Sequence, residues 1–354
     1  MGSLRKIRDR IHSVKMTQQM TSSMKIVAVS RLKRKHAAFL NAIPFADEMN
    51  RVVRRLIRSL KMKQETSVWQ NKSKNVKWPP LLNGNGQENR YMIVMVTSDD
   101  GLSGTSSLQV ISAVQKVIGY LKEQKKEVFV VAYGIRGAEM FKRICPDVGL
   151  MVIHSKKAKE MSAYLNAERL TADVIKSFCQ NRFDVCLIVY NQFKSIAAQS
   201  PIVEQVIPNK IFLKENPWAF LTETALPNRI GQKMLRRSPF LSAIGGVDIL
   251  SSLKGSIFRT DLSGGKRAPY LYDYEPSEIS LLNHILPRYL TAYLYRVILE
   301  AEVSDNAARL MAMDNATRNA GDMLDQLGRN YRRIRQTRIT TDIAEVSGGT
   351  AQGG

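Results

Sequence analysis

From Ser277 almost to the C-terminus, apolar residues return every three or four positions, and no proline follows Pro287. A strict count runs Leu282, Ile285, Tyr289, Ala292, Arg296, Leu299, Val303, Asn306, Leu310, Met313, Thr317, Ala320, Leu324, Leu327, Tyr331 and Ile334. A seam sustained for that distance predicts one very long helix in a coiled coil. At about 1.5 Å per residue, some 55 to 60 residues would span roughly 80 to 90 Å. No globular domain of this size needs such a helix, so it must pack on something equally extended.

The N-terminal segment is the other long candidate. Ser3 to Ile43 contains neither Gly nor Pro, so nothing in it breaks a helix. Leu4, Ile7, Ile11 and Val14 begin a 3-4 seam. Continuing the count meets Gln18, Thr21 and Lys25, while Met16, Met20, Met24 and Val27 form a displaced stripe. Such a displacement predicts a local change of supercoil or partner. Pro44 is expected to interrupt the helix, with an amphipathic stretch resuming to Lys63. The two chain ends are thus expected to form an antiparallel coiled coil.

Between them the pattern alternates. "YMIVMVTS", "EVFVVAYG", "GLMVIHS" and "DVCLIVYNQF" are β-branched runs separated by helical segments, and "PIVEQVIP" offers an edge strand. That alternation predicts a mostly parallel sheet covered by helices. The expected fold class is therefore α/β plus long helices: an antiparallel coiled coil carrying an inserted Rossmann-like α/β domain. The expected segments are 1–63 (first coiled-coil helix), 64–89 (linker), 90–208 (α/β domain), 209–269 (basic insertion) and 270–354 (second coiled-coil helix). The insertion is broken by Gly and Pro and is expected to hold only short helices.

Function is constrained by charge. The 354 residues carry a net +22, which calls for a polyanionic partner such as nucleic acid, an anionic membrane or an acidic protein. Residues 1–63 hold 16 Lys and Arg against Asp9, Asp47 and Glu48, over half the total excess. No apolar run reaches the roughly 18 residues of a membrane span. The start has no apolar signal region, so the chain is expected to stay in the compartment where it is made. Cys145, Cys179 and Cys186 form no CxxC pair, and the four histidines show no ligand spacing. Buried, reduced thiols and no metal site are expected.

The stretch "YMIVMVTSDDGLSGTSS" has the strand–loop–helix layout of a phosphate-binding turn. It lacks the Lys-Ser/Thr ending of a P-loop, and Asp99 and Asp100 stand where phosphates would need neutralising. A tight strand-to-helix turn is the preferred reading, without nucleotide or other cofactor.

"SLRKIRDRIHSVKMTQQMTSSMKIVAVSRLKR" and "AARLMAMDNATRNAGDMLDQLGRNYRRIRQTRITTDIAEVSGG" closely resemble the two terminal signatures of ATP synthase gamma subunits. "VTSDDGLSG" is similar to that family's "TSDRGLCG" loop, departing at Asp100 and Ser103. The resemblance covers most of the chain outside 209–269. It implies a non-catalytic central rotor shaft of an F-type ATP synthase, coupling rotation of the membrane c-ring to ATP synthesis and hydrolysis. The implied partners are the alpha, beta and epsilon subunits and the c-ring. The implied location is peripheral, on the cytoplasmic side of a bacterial inner membrane, with the matrix side of the mitochondrial inner membrane as second choice. By the same resemblance, Met24, Lys25, Arg309, Arg335, Gln336 and Thr340 are expected at rotor–stator contacts, with Arg338 and Asp342 as departures nearby. The alternative reading, a basic nucleic-acid-binding coiled coil, rests on charge alone, and the basic helix lacks interleaved aromatics.

Overall fold

The computed structural model describes residues 2–69, 78–152, 162–209, 218, 274–275 and 277–350. In chain order the elements are α1 (Gly2–Trp69), α2 (Pro80–Asn83), β1 (Arg90–Val96), α3 (Ser106–Glu123), β2 (Glu127–Tyr133), α4 (Ile135–Ile144), β3 (Leu150–Val152), α5 (Ala163–Cys179), β4 (Val185–Ser195), β5 (Ala198–Ile207) and α6 (Glu278–Thr350). The chain divides into two compact units, Met1–Arg31 with Arg309–Gly354, and Leu32–Ala308.

The terminal helices exceed the expected lengths. α1 is one helix of 68 residues that carries Pro44 inside it instead of stopping there. α6 runs for 73 residues and includes Pro287. The helical turn of α2 falls where a linker was expected, and Leu81 and Leu82 pack on the α1–α6 contact. Of the expected insertion only Asn209 and Trp218 are described, so its short helices lie outside the described residues.

In the larger unit the strands form one sheet in the order β3-β2-β1-β4-β5. β1 pairs in parallel with β2 and β4, and β3 in parallel with β2. β5 runs antiparallel on β4, as the edge strand the sequence suggested. Alternate residues of each strand feed two cores, following the two-residue period of a pleated strand. Tyr91, Ile93, Met95, Val185, Leu187 and Val189 face α3 and α4. Met92, Val94, Val96, Cys186, Ile188 and Tyr190 face α5 and the 290–298 stretch of α6. A third cluster joins Val53, Leu56, Ile57 and Leu60 of α1 to Leu282, Leu286 and Tyr289 of α6.

Trp218 is the described residue of the insertion that packs on this unit. Its ring meets Tyr91 and Tyr120 edge-on, at 6.2 and 6.1 Å between centroids. Its Nε1 donates to Gln205 Oε1 at 3.3 Å.

Candidate functional site

The smaller unit is a helix pair, and its seam decides which side chains remain available outside. Along α1 the inward positions are Leu4, Ile7, Ile11, Val14, Gln18, Thr21, Lys25 and Ala28. The 3-4 count therefore does not shift to the methionines, correcting the expected displacement. It continues through polar residues because each of them meets a polar or small partner on α6. Gln18 Nε2 would lie 3.3 Å from a Cβ placed on Gly321. Thr317 Oγ1 donates to Thr21 Oγ1 at 2.9 Å, and Lys25 Nζ lies 2.7 Å from Asp314 Oδ1. Further along, the Arg8 guanidinium donates to Tyr331 Oη at 3.3 Å. As one helix advances the other retreats, which makes the pair antiparallel.

Lys25 and Asp314 are 17% and 5% exposed, so this ion pair is mostly shielded from water. Burial pushes the Asp314 carboxyl up, but hydrogen bonds and charge from Lys25 and Arg318 outweigh it and hold it below the usual range. Met16, Met20 and Met24 point the other way, at 53%, 60% and 37% exposure, with Ile26 and Val27 also exposed. Met313 is buried, as a seam residue should be.

The expected contact residues therefore fall into three settings. Arg335, Gln336 and Thr340 lie on exposed helix surface. Thr340 Oγ1 donates back to the Gln336 carbonyl at 3.0 Å, a local bond that leaves the Gln336 side chain outward. Met24 is exposed, and Lys25 beside it is turned into the seam. Arg309 is 9% exposed and belongs to the interior of its helix stretch. The structure does not bring these six together into one patch.

The helix end shows more than the sequence reading extracted. Arg329, Arg332, Arg333, Arg335 and Arg338 all lie exposed within ten residues, with no acid among them. Arg8 adds its charge beside Tyr331 and, with Arg335, holds that phenol below its ordinary range. The signal was available: five arginines in ten residues is a charge run, of which only Arg335 was expected at a contact and Arg338 was noted as a departure. Such a surface favours an acidic, bidentate partner.

In the larger unit the glycine-containing loop after β1 is occupied with its own structure. Asp99 Oδ1 accepts the backbone N–H of Ile135 at 2.9 Å, at the first turn of α4. The backbone N–H of Asp100 donates to Ser98 Oγ at 3.1 Å. Leu102 and Gly104 adopt positive φ, 68° and 60°, which lets the chain turn from strand to helix. Asn191, within β4, donates to the carbonyl and hydroxyl of Ser106 at 2.8 and 2.9 Å. A Cβ at Gly137 would come within 2.0 Å of Thr97 Oγ1, so α4 presses directly on the β1 terminus. Among the described residues no group of His, Cys, Asp and Glu is arranged to hold a metal. Of the cysteines, Cys186 is buried and Cys145 partly so, while Cys179 is exposed, against expectation.

Comparison with known proteins follows the same lines. A family model described as ATP synthase matches residues 3–352. The chain is 33% identical to the ATP synthase gamma chain of Rhodospirillum rubrum over 351 residues, covering 99% of each. It is 31% identical to that of Paramagnetospirillum magneticum, again with 99% of each covered. Among solved structures, the rotor of the Euglena gracilis mitochondrial ATP synthase aligns with a TM-score of 0.52 at 15% identity, covering 96% of this chain and 99% of that one. The central stalk and c-ring structure from Tetrahymena thermophila aligns with a TM-score of 0.50 at 18% identity, covering 84% and 99%. At those identities the likeness concerns the fold.

Proposed function

The chain belongs to the ATP synthase family as a gamma chain, and from that premise we propose how its helix pair transmits rotation. It is the central shaft of an F-type ATP synthase, coupling ion-driven rotation of the membrane c-ring to synthesis and hydrolysis in the alpha/beta hexamer. Its partners are the alpha, beta and epsilon subunits and the c-ring. The chain itself performs no chemistry in this scheme. The loop after β1 supports that reading, since Asp99 is engaged with α4 and carboxylates stand where phosphate would need cations. The protein sits peripherally, on the cytoplasmic face of a bacterial inner membrane. In keeping with this, no helix among the described residues is long and apolar enough to cross one.

The observation that carries the mechanism is the exposed basic end of α6. Arg335 can fork onto a carboxylate of a beta-subunit loop, while Gln336 both donates and accepts. Such a contact forms at one shaft angle and is released at the next. Thr340 lies one turn further along the same helix. Met24 offers a flexible, polarizable group whose low torsional demands suit a surface that must slide. Lys25 serves this region through Asp314, keeping the helices in register beneath Met24. Arg309 acts from inside its helix stretch, as a positioning residue.

The test is Arg335→Ala combined with Gln336→Ala in the assembled complex. A charge-assisted hydrogen bond is worth about 1.5–3 kcal/mol, so turnover should fall about tenfold to a hundredfold with assembly intact. An assembled double variant with wild-type hydrolysis and synthesis would remove both residues from the mechanism.

A further inference from the structure

A cavity of ≈ 130 Å³ lies in the larger unit between α1, the β4–β5 pair and α6. Its polar wall contains more carboxylate than one guanidinium can match. Arg296 Nη1 lies 3.2 Å from Glu300 Oε2, and its Nη2 lies 4.0 Å from Glu204 Oε2. Glu204 already accepts from two phenols, Tyr190 at 3.4 Å and Tyr293 by a short hydrogen bond. Glu300 is 4% exposed. Glu300 shares that one guanidinium with Glu204 and is otherwise met by hydrogen bonds from the Phe193 backbone and Tyr190, so its buried charge is only partly compensated. We propose that the Asp47–Glu204–Arg296–Glu300 cluster is a proton-operated joint: uptake of one proton tightens the seat of α6 on β4 and β5, and its loss loosens that seat.

The elements around the cluster support one titrating member. From α1 it is faced by Asp47, which has Glu48 and Arg51 beside it, while His36 stands behind the cavity wall with its ring 5.8 Å from that of Phe193. From β4 comes Tyr190, from β5 Glu204, and from α6 Tyr289, Tyr293 and Arg296. The tyrosines are buried and their pKa values rise, which keeps them neutral. Burial pushes the Glu300 carboxyl up to about 7; Arg296 opposes the rise, Glu204 adds to it, and hydrogen bonds from the Phe193 backbone and Tyr190 oppose it further. Burial also raises Asp47, but that side chain is exposed to solvent.

The sign follows from linkage. A glutamate whose folded pKa is raised contributes stability below its unfolded value of about 4.3 and loses it as pH rises through the folded one. His36 acts in the opposite sense, because burial lowers its pKa. Its stabilisation grows with pH, is still incomplete at pH ~6.5, and levels off about one unit higher, where the unfolded imidazole is neutral as well. Between pH ~6.5 and ~8 His36 therefore adds at most about twofold in the opposite sense, equally with and without the Glu300 carboxyl, so the difference between wild type and Glu300→Gln isolates Glu300.

The experiment uses the purified full-length chain. With glutamate carboxyls labelled by 13C, one resonance should titrate near pH 7 and disappear in Glu300→Gln. Relative to Glu300→Gln, amide exchange of Val297, Ile298 and Leu299, corrected for intrinsic rates, should lose about fourfold in protection between pH ~6.5 and ~8. The amide of that variant imitates the protonated acid, so its own protection should not fall. A Glu300 carboxyl titrating near the ordinary glutamate value overturns the proposal, as does an equal loss in the Gln variant. Should Glu300→Gln not fold, Glu204→Gln gives the second test. Removing the facing charge should move the neutral-range midpoint down, and an unmoved midpoint overturns the joint.

Discussion

The same two helices meet twice, and they meet differently. Between Val53 and Leu60, α1 packs on Leu282, Leu286 and Tyr289 of α6 through a closed apolar cluster, with Val53, Leu282 and Ile57 fully buried. Between Leu4 and Ala28 the pair forms a unit of its own, and most of its inward residues are only half-buried. Its centre is polar: Thr21 with Thr317, and Lys25 with Asp314. A two-helix seam has no third element to close over it, so it removes less apolar surface from water and gains less. What it gains instead is register. An ion pair or hydrogen bond at one seam position is satisfied in one alignment only, so sliding by a turn leaves a shielded charge unpaired. The apolar cluster supplies stability, and the polar seam supplies alignment.

The largest test of this contrast is truncation of matched seam residues. Ile57→Ala should cost about 2–5 kcal/mol, the usual range for a closed core. Ile11→Ala, at a half-buried seam position, should cost about 1 kcal/mol. Denaturant unfolding of each variant, followed by helical circular dichroism, gives both values. Equal costs would mean that the two seams are energetically alike.

Breaking the ion pair comes next. Asp314→Ala leaves Lys25 and Arg318 without their carboxylate and should destabilise the pair by about 1–3 kcal/mol, less than a deeply buried charge would. Lys25→Met with Asp314→Leu should restore wild-type stability or exceed it, while allowing helix alignments that the wild type excludes. Cysteine pairs placed to cross-link only in a slipped register would report that freedom. If the double variant stays as firmly registered as wild type, the polar seam is not what sets alignment. Acid supplies a second handle on the same residue. The Asp314 carboxyl is depressed in the folded chain, so its contribution is present above the unfolded value of about 3.9 and lost as pH falls through the folded one. Asp314→Asn should flatten that acid limb.

The smallest effect is expected at the exposed methionines. Met20→Ser should alter the stability of the isolated chain by no more than about 0.5 kcal/mol, because that side chain is 60% exposed. A loss comparable with Ile11→Ala would place Met20 in the seam after all.

Repetition in the sequence was enough to place two long helices and the sheet, but not their extent, since α1 runs through Pro44. Every member of the 3-4 count from Leu282 to Ile334 is buried or half-buried, because a side chain's face on a helix depends only on its spacing. The alternation within β1 and β4 likewise divided their side chains between two cores. Arg335 and Gln336 were singled out by the resemblance of their stretch to the family's C-terminal signature, and both lie on the exposed side of α6. The fate of polar residues on the inward face was not legible. Lys25 reads as surface charge until Asp314, 289 positions away in the chain, is seen across from it. Arg296 falls within the 3-4 count and Glu300 lies four positions on, but spacing does not show what faces them. Burial among Tyr190, Tyr293 and Glu204 converts that pair into a strained set of charges. Spacing fixes which way a side chain faces, whereas the energy of a charge depends on what lies opposite and how much water remains, and only the tertiary structure decides those.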